Sequence, residues 1–304
     1  MATEHLGRDL ENKLDWLELC DALEAGHRQP RASLGDTVLH RGGDTLLSRS
    51  AWVDGLGALV KTATVVPSNT GRQQPTVHGH AVLFDDLTGE PTATVDFGLL
   101  TKWKTAATSL LACRTLAPAR VERILIVGAG TVAASMVEAY GTLFPDAQIG
   151  VYNRTAARAE ALARRHPQLV VYSDLERAAF EADVICTATL SAEPVLQGAW
   201  LRPGQHLDLI GAFRPDMREV DDDALTRSLV YVDAFETALE GTGELAIPLA
   251  KGVLARQDVL GDFADLAAGR WERPSTDAIT VCKNAGGAHL DLMTAVYMRR
   301  KAAA

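Results

Sequence analysis

The 304-residue chain has no apolar run near the ~20 residues that a membrane-crossing helix requires. Its first stretch, Met1 to Asp15, is polar and mixed in charge, unlike a secretory signal. Cysteine is sparse. Cys20, Cys113, Cys186 and Cys282 stand far apart with no C-x-x-C spacing. Neither a disulfide framework nor a metal site is therefore expected, and reduced, buried thiols are the default. Positive charge is also short. Thirty Lys and Arg face 39 Asp and Glu, a net charge of −9. Such a surface repels phosphates, which argues against nucleic acid or an anionic membrane as partner but leaves room for a local basic pocket. Lysine is the scarcer cation, so the setting of each lysine matters. These absences describe a cytoplasmic protein of enzyme size. What is present is core-forming material: 47% of the residues are hydrophobic, and the length favours two domains over one.

Apolar residues at Leu14, Leu17, Cys20 (or Leu19) and Leu23 recur at helical spacing, and that helix stops before Pro30. Turn-punctuated strand candidates follow at Thr37 to His40, Thr45 to Leu47, Gly57 to Val66, Val77 to Asp85 and Thr92 to Asp96. Thr105 to Leu116 is Ala/Leu-rich and reads as a helix ended by Pro118. Beyond it the rhythm changes. Strands at Arg123 to Val127, Gln148 to Tyr152, Leu169 to Tyr172, Val184 to Ala188, His206 to Ile210 and Leu229 to Val232 alternate with helices, with Ser173 as one N-cap. This pattern predicts a doubly wound parallel α/β sheet. The tail, Ile279 to Arg300, reads as helical. The expected organisation is a Rossmann domain at 118–277, and an α+β domain built from 1–117 with 278–304.

The strongest motif is Val127-Gly128-Ala129-Gly130-Thr131-Val132-Ala133, placed after a strand and before a helix. Gly128 permits the tight turn, Gly130 lets backbone approach a pyrophosphate, and Ala133 allows close helix–strand packing. The free N–H groups of the helix start then face the phosphates. A glycine-rich turn without a ligand is the plainer alternative, disfavoured by the surrounding βα units. The second strand ends in Tyr152-Asn153-Arg154-Thr155, where an NAD site usually carries an acid for the ribose 2′-hydroxyl. An amide, a guanidinium and a hydroxyl suit the 2′-phosphate of NADPH instead, with Arg158 in support. An ordinary solvated helix start is the alternative. Lys61 lies within Ala58-Leu59-Val60-Lys61-Thr62-Ala63 and points either to solvent or into a pocket; on its own the solvent orientation is the commoner.

Taken together, several segments resemble the ornithine cyclodeaminase/mu-crystallin family. They are Gln29-Pro30-Arg31, Val60-Lys61-Thr62, Gln74-Pro75-Thr76-Val77-His78-Gly79, Leu100 to Ala107, the glycine loop, Tyr152-Asn153-Arg154-Thr155, Thr187-Ala188-Thr189, Ile210 to Glu219, and Cys282-Lys283-Asn284-Ala285-Gly286. They run in the family's order over nearly the whole chain. The resemblance implies that Arg31 binds a substrate carboxylate and that Lys61 is the active-site lysine. It implies cofactor contacts at Thr76, Lys104, Thr105, Gly128, Gly130, Thr131, Val132, Asn153, Arg154, Thr155, Thr187, Ala188, Thr189 and Asn284. Asn284 and Ala285 match the tail segment that closes over nicotinamide and substrate, and the N-terminal sheet would form a homodimer interface.

Two departures from the family pattern stand out. The usual Arg-Thr-Ala-Ala is Lys104-Thr105-Ala106-Ala107 here, which keeps charge but loses a planar fork. Phe213 stands where ornithine cyclodeaminases carry a catalytic aspartate, so deamination with ring closure loses its base. The segment through Met217-Arg218-Glu219 looks like the branch that reduces cyclic ketimines such as Δ1-pyrroline-2-carboxylate. The resemblance therefore implies an NADPH-preferring, or NADH-using, ketimine reductase acting on a small anionic imine. An open-chain imine reductase and a mu-crystallin-like binding protein are the alternatives, and a second basic group such as Arg49 or His78 would favour a dicarboxylic substrate.

Overall fold

The computed structural model describes residues 3–72 and 74–304; Met1, Ala2 and Gln73 lie outside them. The chain forms two compact units, Met1–Lys104 with Gly287–Ala304, and Thr105–Gly286. Among the described residues no helix is long and apolar enough to cross a membrane.

The first unit carries β1 (Glu4–Leu6), α1 (Trp16–His27), β2 (Ser33–Arg41), β3 (Asp44–Val53), β4 (Gly57–Val65), β5 (Val77–Phe84) and β6 (Pro91–Asp96), followed by the start of α2 (Phe97–Leu116). Its six strands are ordered β1-β6-β5-β4-β3-β2, antiparallel except for the β1/β6 pair. The side chain of Asp15 caps α1 by accepting from the N–H groups of Leu17 and Glu18. Strands β2 and β3 run longer than Thr37 to His40 and Thr45 to Leu47. They are joined by Gly42 and Gly43 alone, and Gly42 takes φ +59°, the left-handed geometry of a two-residue hairpin. That turn keeps the ladder in register from Arg41↔Asp44 to Ser33↔Trp52.

The second unit contains β7 (Arg123–Val127), α3 (Thr131–Leu143), β8 (Gln148–Tyr152), α4 (Ala156–Arg165), β9 (Val170–Val171), α5 (Leu175–Glu181), β10 (Val184–Thr187), β11 (His206–Leu209), α6 (Asp222–Thr226), β12 (Leu229–Val232), α7 (Phe235–Ala238), α8 (Gly243–Ala250), α9 (Phe263–Ala267) and β13 (Thr280–Lys283). All seven strands are parallel, in the order β12-β13-β11-β10-β7-β8-β9. The order reverses direction between β7 and β10, the switch point at which doubly wound sheets bind ligands beyond the strands' carboxyl ends. The core beneath is Leu125, Val127, Ile185, Leu207, Leu209 and Val281 with their neighbours.

Four sequence expectations need correction. The tail is not helical from Ile279: Thr280–Lys283 is a fully buried strand inserted between β11 and β12, and α10 (Ala288–Ala303) begins later, in the first unit. The division between units accordingly falls after Gly286 instead of at 277/278, and inside α2 instead of at 117/118. The end of α2 is tied to the second unit because the Leu116 carbonyl accepts from Thr280 Oγ1 at 3.0 Å and from Arg273 at 2.6 Å, filling an acceptor that a helix end leaves open. Helix α2 starts at Phe97, not Thr105, since Asp96 Oδ1 accepts from the Leu99 N–H at 2.7 Å. The cap of α5 is Asp174, accepting from Arg177 N, and not Ser173.

Candidate functional site

The glycine turn closes β7 onto α3. Gly128 has φ +122°, and a Cβ there would lie 2.6 Å from the Ala188 carbonyl oxygen. Only glycine fits both the backbone conformation and that approach. Gly130 is the N-cap of α3, and a Cβ on it would meet no protein atom within 4 Å. Protein packing therefore does not demand glycine at 130, and the open space beside it leaves room for close backbone approach by a pyrophosphate. Thr131 and Val132 open α3, whose first turn presents its N–H groups there. At the end of β8, Asn153 Nδ2 donates to the Thr155 carbonyl at 2.9 Å, and Arg154, Thr155 and Arg158 are exposed. Thr155 is the N-cap of α4 without a side-chain capping bond, so its hydroxyl is not consumed by the helix. The residues present thus fit a dinucleotide.

At the carboxyl ends of β10, β11 and β13, three buried acids hold the loops. Glu219 accepts from Thr187 Oγ1 (2.8 Å), Thr189 N (2.7 Å), Thr189 Oγ1 (2.8 Å), Gly211 N (2.6 Å) and Ala212 N (3.3 Å). Glu244 accepts from the N–H groups of Glu219 and Val220. Burial pushes its carboxyl up to about 7, with Lys283 opposing and Glu219 adding to the shift. Asp233 accepts from Gly286 N at 2.6 Å. Lys283, fully buried, donates to the carbonyls of Leu209, Ala212 and Asn284. Asn284 is buried, donates to Ser109 Oγ at 3.4 Å, and keeps Oδ1 without a protein partner. Ala285 is half-buried beside it. None of Glu219, Glu244, Asp233 and Lys283 was singled out as a site residue from sequence.

In the first unit Lys61 takes the buried orientation, not the solvent one. Strand β4 buries alternate residues, and Lys61 falls in register with Leu59 and Ala63. Its Nζ donates to Asp291 Oδ1 at 2.9 Å and to Thr101 Oγ1 at 2.9 Å, and lies 4.7 Å from the Phe97 ring centroid. Burial alone would raise the pKa of Asp291, but Lys61, Lys104 and Arg49 outweigh it and hold the carboxyl below its ordinary value. His289, on the same helix, is kept neutral: burial lowers it to about 3, with His27 and Lys104 adding to the effect. Arg49 is the register neighbour of Lys61 and donates to Asp36 Oδ2 at 2.9 Å. His78 lies on the opposite face, since Ala81, not His80 or His78, shares the face of Lys61. Arg31 is exposed between α1 and β2, Thr76 is half-buried before β5, and Lys104 and Thr105 are half-buried on α2. Sequence reading missed Asp291 and Thr101; the available signal was a lone carboxylate in the apolar stretch Leu290 to Met293.

A family model described as the ornithine cyclodeaminase/mu-crystallin family matches residues 53–304. The chain is 45% identical to a Delta(1)-pyrroline-2-carboxylate reductase of Paracoccus denitrificans over 298 residues, covering 96% of this chain and 94% of that protein. It superposes on the structure of the Thermococcus litoralis Delta(1)-pyrroline-2-carboxylate reductase in complex with NADH and L-proline with a TM-score of 0.90 at 26% identity, covering 99% and 98% of the two chains. An archaeal alanine dehydrogenase dimer with bound NAD gives a TM-score of 0.90 at 26% identity over 100% and 97% of the chains. The chain therefore belongs to the ornithine cyclodeaminase/mu-crystallin family.

Proposed function

We propose that this chain is an NAD(P)H-dependent ketimine reductase that converts Δ1-pyrroline-2-carboxylate, Δ1-piperideine-2-carboxylate or both to L-proline and L-pipecolate. The observation that carries the reading is Lys61, an ammonium buried on an otherwise apolar strand face and held by Asp291 and Thr101. Burying such a charge is costly, and a surface strand lysine would have no reason to bear that cost. The relatives' substrate, a small carboxylate next to a C=N bond, suits it.

In this reading Arg31 and Lys61 hold the substrate carboxylate by charge-assisted hydrogen bonds, with Ala285 bordering the ring. Lys61 also supplies, directly or through a water, the proton that makes the imine nitrogen electrophilic. A bound nicotinamide supplies the hydride. The chain's own contribution is positioning. The first turn of α3, from Thr131 and Val132, takes the pyrophosphate beside Gly128 and Gly130. Asn153, Arg154 and Thr155 take the 2′-phosphate, so NADPH is preferred to NADH. Thr76, Lys104, Thr105, Thr187, Ala188, Thr189 and Asn284 complete the cofactor contacts.

A dicarboxylic open-chain imine is the less favoured substrate, because Arg49 is already bonded to Asp36 and His78 faces away from Lys61. The enzyme works as a homodimer in the cytoplasm. The sheet face opposite Lys61 carries Leu39, Leu46 and Trp52, which are 58%, 38% and 53% exposed, and such an apolar face is suited to a second copy. The same unit thus serves substrate binding and dimerisation. Oxidation of NADPH and of NADH, followed by absorbance with the pyrroline, the piperideine and iminosuccinate in turn, tests the reading. Faster turnover of iminosuccinate, or no turnover of any cyclic imine, would overturn it.

A further inference from the structure

We propose that Glu219 is a positioning residue: its carboxylate fixes the loops 187–189 and 211–212 as the nicotinamide side of the cofactor cleft. The inference rests on the reading above only in taking the carboxyl edge of the sheet as the dinucleotide site.

Glu219 is fully buried, and both of its oxygens are spent on these loops. Oε2 takes Thr187 Oγ1, Gly211 N and Ala212 N, while Oε1 takes both donors of Thr189. The segments it joins follow β10 and β11, on the side of the switch point away from β8, where the adenosine ribose belongs. The loops are in direct contact as well. A Cβ on Gly211 would lie 2.1 Å from the Thr189 carbonyl oxygen and 2.4 Å from Glu219 Oε1. The Ala188 carbonyl in turn sits against Gly128 of the pyrophosphate turn. Displacing Glu219 therefore moves the β10 loop relative to the glycine turn. Glu219 is itself held from behind, its N–H donating to Glu244 Oε2 at 2.8 Å. No cation donates to the Glu219 carboxylate in the bonds above; every donor is a backbone N–H or a threonine hydroxyl. That arrangement sets loop geometry and touches neither substrate nor hydride.

The test is Glu219→Gln, which keeps shape but turns one acceptor into a donor. An amide group then faces either the Thr189 donors or the Thr187, Gly211 and Ala212 donors, and one loop is released. Two pairs of ligands report the effect by calorimetry: NADPH against 2′-phospho-ADP-ribose, and NADH against ADP-ribose, the second of each pair lacking nicotinamide. We expect the variant to bind the reduced dinucleotides about tenfold more weakly, while the nicotinamide-free ligands change less than about twofold. For Δ1-pyrroline-2-carboxylate kcat should fall on the order of 100-fold, the size expected for a misplacement near 1 Å, with KM for the imine changed only a few-fold.

Equal weakening of both ligands in a pair would mean general damage to the domain and would overturn the proposal, as would no change in either. If the glutamine variant does not fold, Glu219→Asp keeps both acceptor oxygens but shortens their reach to the Thr187, Thr189, Gly211 and Ala212 donors. It should shift the dinucleotide in the same direction by a few-fold, and no shift there overturns the proposal equally. Should the wild-type enzyme turn over no imine, the ketimine reading fails while the ligand-pair comparison still decides the role of Glu219.

Discussion

The Lys61–Asp291 pair can be broken without altering shape, by Asp291→Asn. The two side chains are 9% and 3% exposed and the N–O distance is 2.9 Å. At an effective dielectric constant near 20, the gross attraction at that distance is about 6 kcal/mol. Desolvating both ions consumes much of it, so the measurable quantity is the penalty for leaving one charge alone, about 3–5 kcal/mol. Asparagine still offers a carbonyl oxygen to Nζ, and Thr101 still accepts from it, which puts the expected loss at about 3 kcal/mol. Lys61→Met removes the other charge and strands Asp291. The double variant strands neither, so its loss should fall short of the sum of the singles by about 2–3 kcal/mol. Urea unfolding of the four proteins measures this cycle. Additivity within about 0.5 kcal/mol would show that the two groups do not interact and would refute the buried-pair argument. The pH dependence has a definite sign. The Asp291 carboxyl lies below its ordinary 3.8 in the folded protein, so its stabilisation is fully present above that pH. It is lost as pH falls through the lower folded value, and Asp291→Asn should lack that acid limb.

Lys61→Ala should leave NADPH affinity, read by fluorescence, nearly intact while turnover falls on the order of 100-fold or more, and Lys61→Arg should rescue little. Near-normal turnover in the alanine variant would reduce Lys61 to a structural strand residue. Arg154→Ala should raise KM for NADPH much more than for NADH; equal changes would remove the 2′-phosphate assignment. L-ornithine should release no ammonia at a rate comparable to imine reduction, because Phe213, 55% exposed in the loop after β11, offers no carboxylate. Glu244 holds its proton up to about 7 in the folded protein but only to about 4.5 in the unfolded chain. Stability should therefore fall as pH rises through that window, by about 3 kcal/mol in total, and Glu244→Gln should flatten the slope seen in thermal melts.

The parallel strands of the second unit were legible because strands buried on both faces read as short continuous apolar runs, as in Arg123–Val127 and Leu229–Val232. The glycine turn was legible because its demands are local. What escaped was non-local. Strand β13 is only Thr-Val-Cys-Lys and ends in a lysine, so it carries no strong local signal, and its neighbours β11 and β12 lie far back in the chain. Which way Lys61 points was undecidable from its own strand, since alternation offers two faces and the deciding carboxylate is 230 residues away. Resemblance to the family marked Lys61 as important without revealing Asp291. For the same reason Glu219 was visible only as the end of a matching segment, not as the acceptor on which two loops converge.

The Lys61 pair and the acids at the carboxyl edge of the parallel sheet satisfy buried charge differently, and the difference says what a substitution at each should cost. In the first unit charge answers charge: buried Lys61 meets buried Asp291. Losing one member leaves a net charge, so stability and the local field change together. In the second unit the acids at the sheet's carboxyl edge answer backbone N–H groups, which the parallel ladder leaves unused where each strand runs into its loop. Glu219 and Glu244 do this for the loops after β10 and β11, and Asp233 does it at Gly286. Lys283 performs the reverse service for the carbonyls of Leu209, Ala212 and Asn284. A loop held by one multivalent carboxylate has few alternative arrangements, which is what a site that works by holding two carbons in line requires. Substitutions in that edge should therefore appear first as lost geometry, in kcat and nicotinamide binding, whereas substitutions at the Lys61 pair should appear as lost charge, in stability and in its dependence on acid.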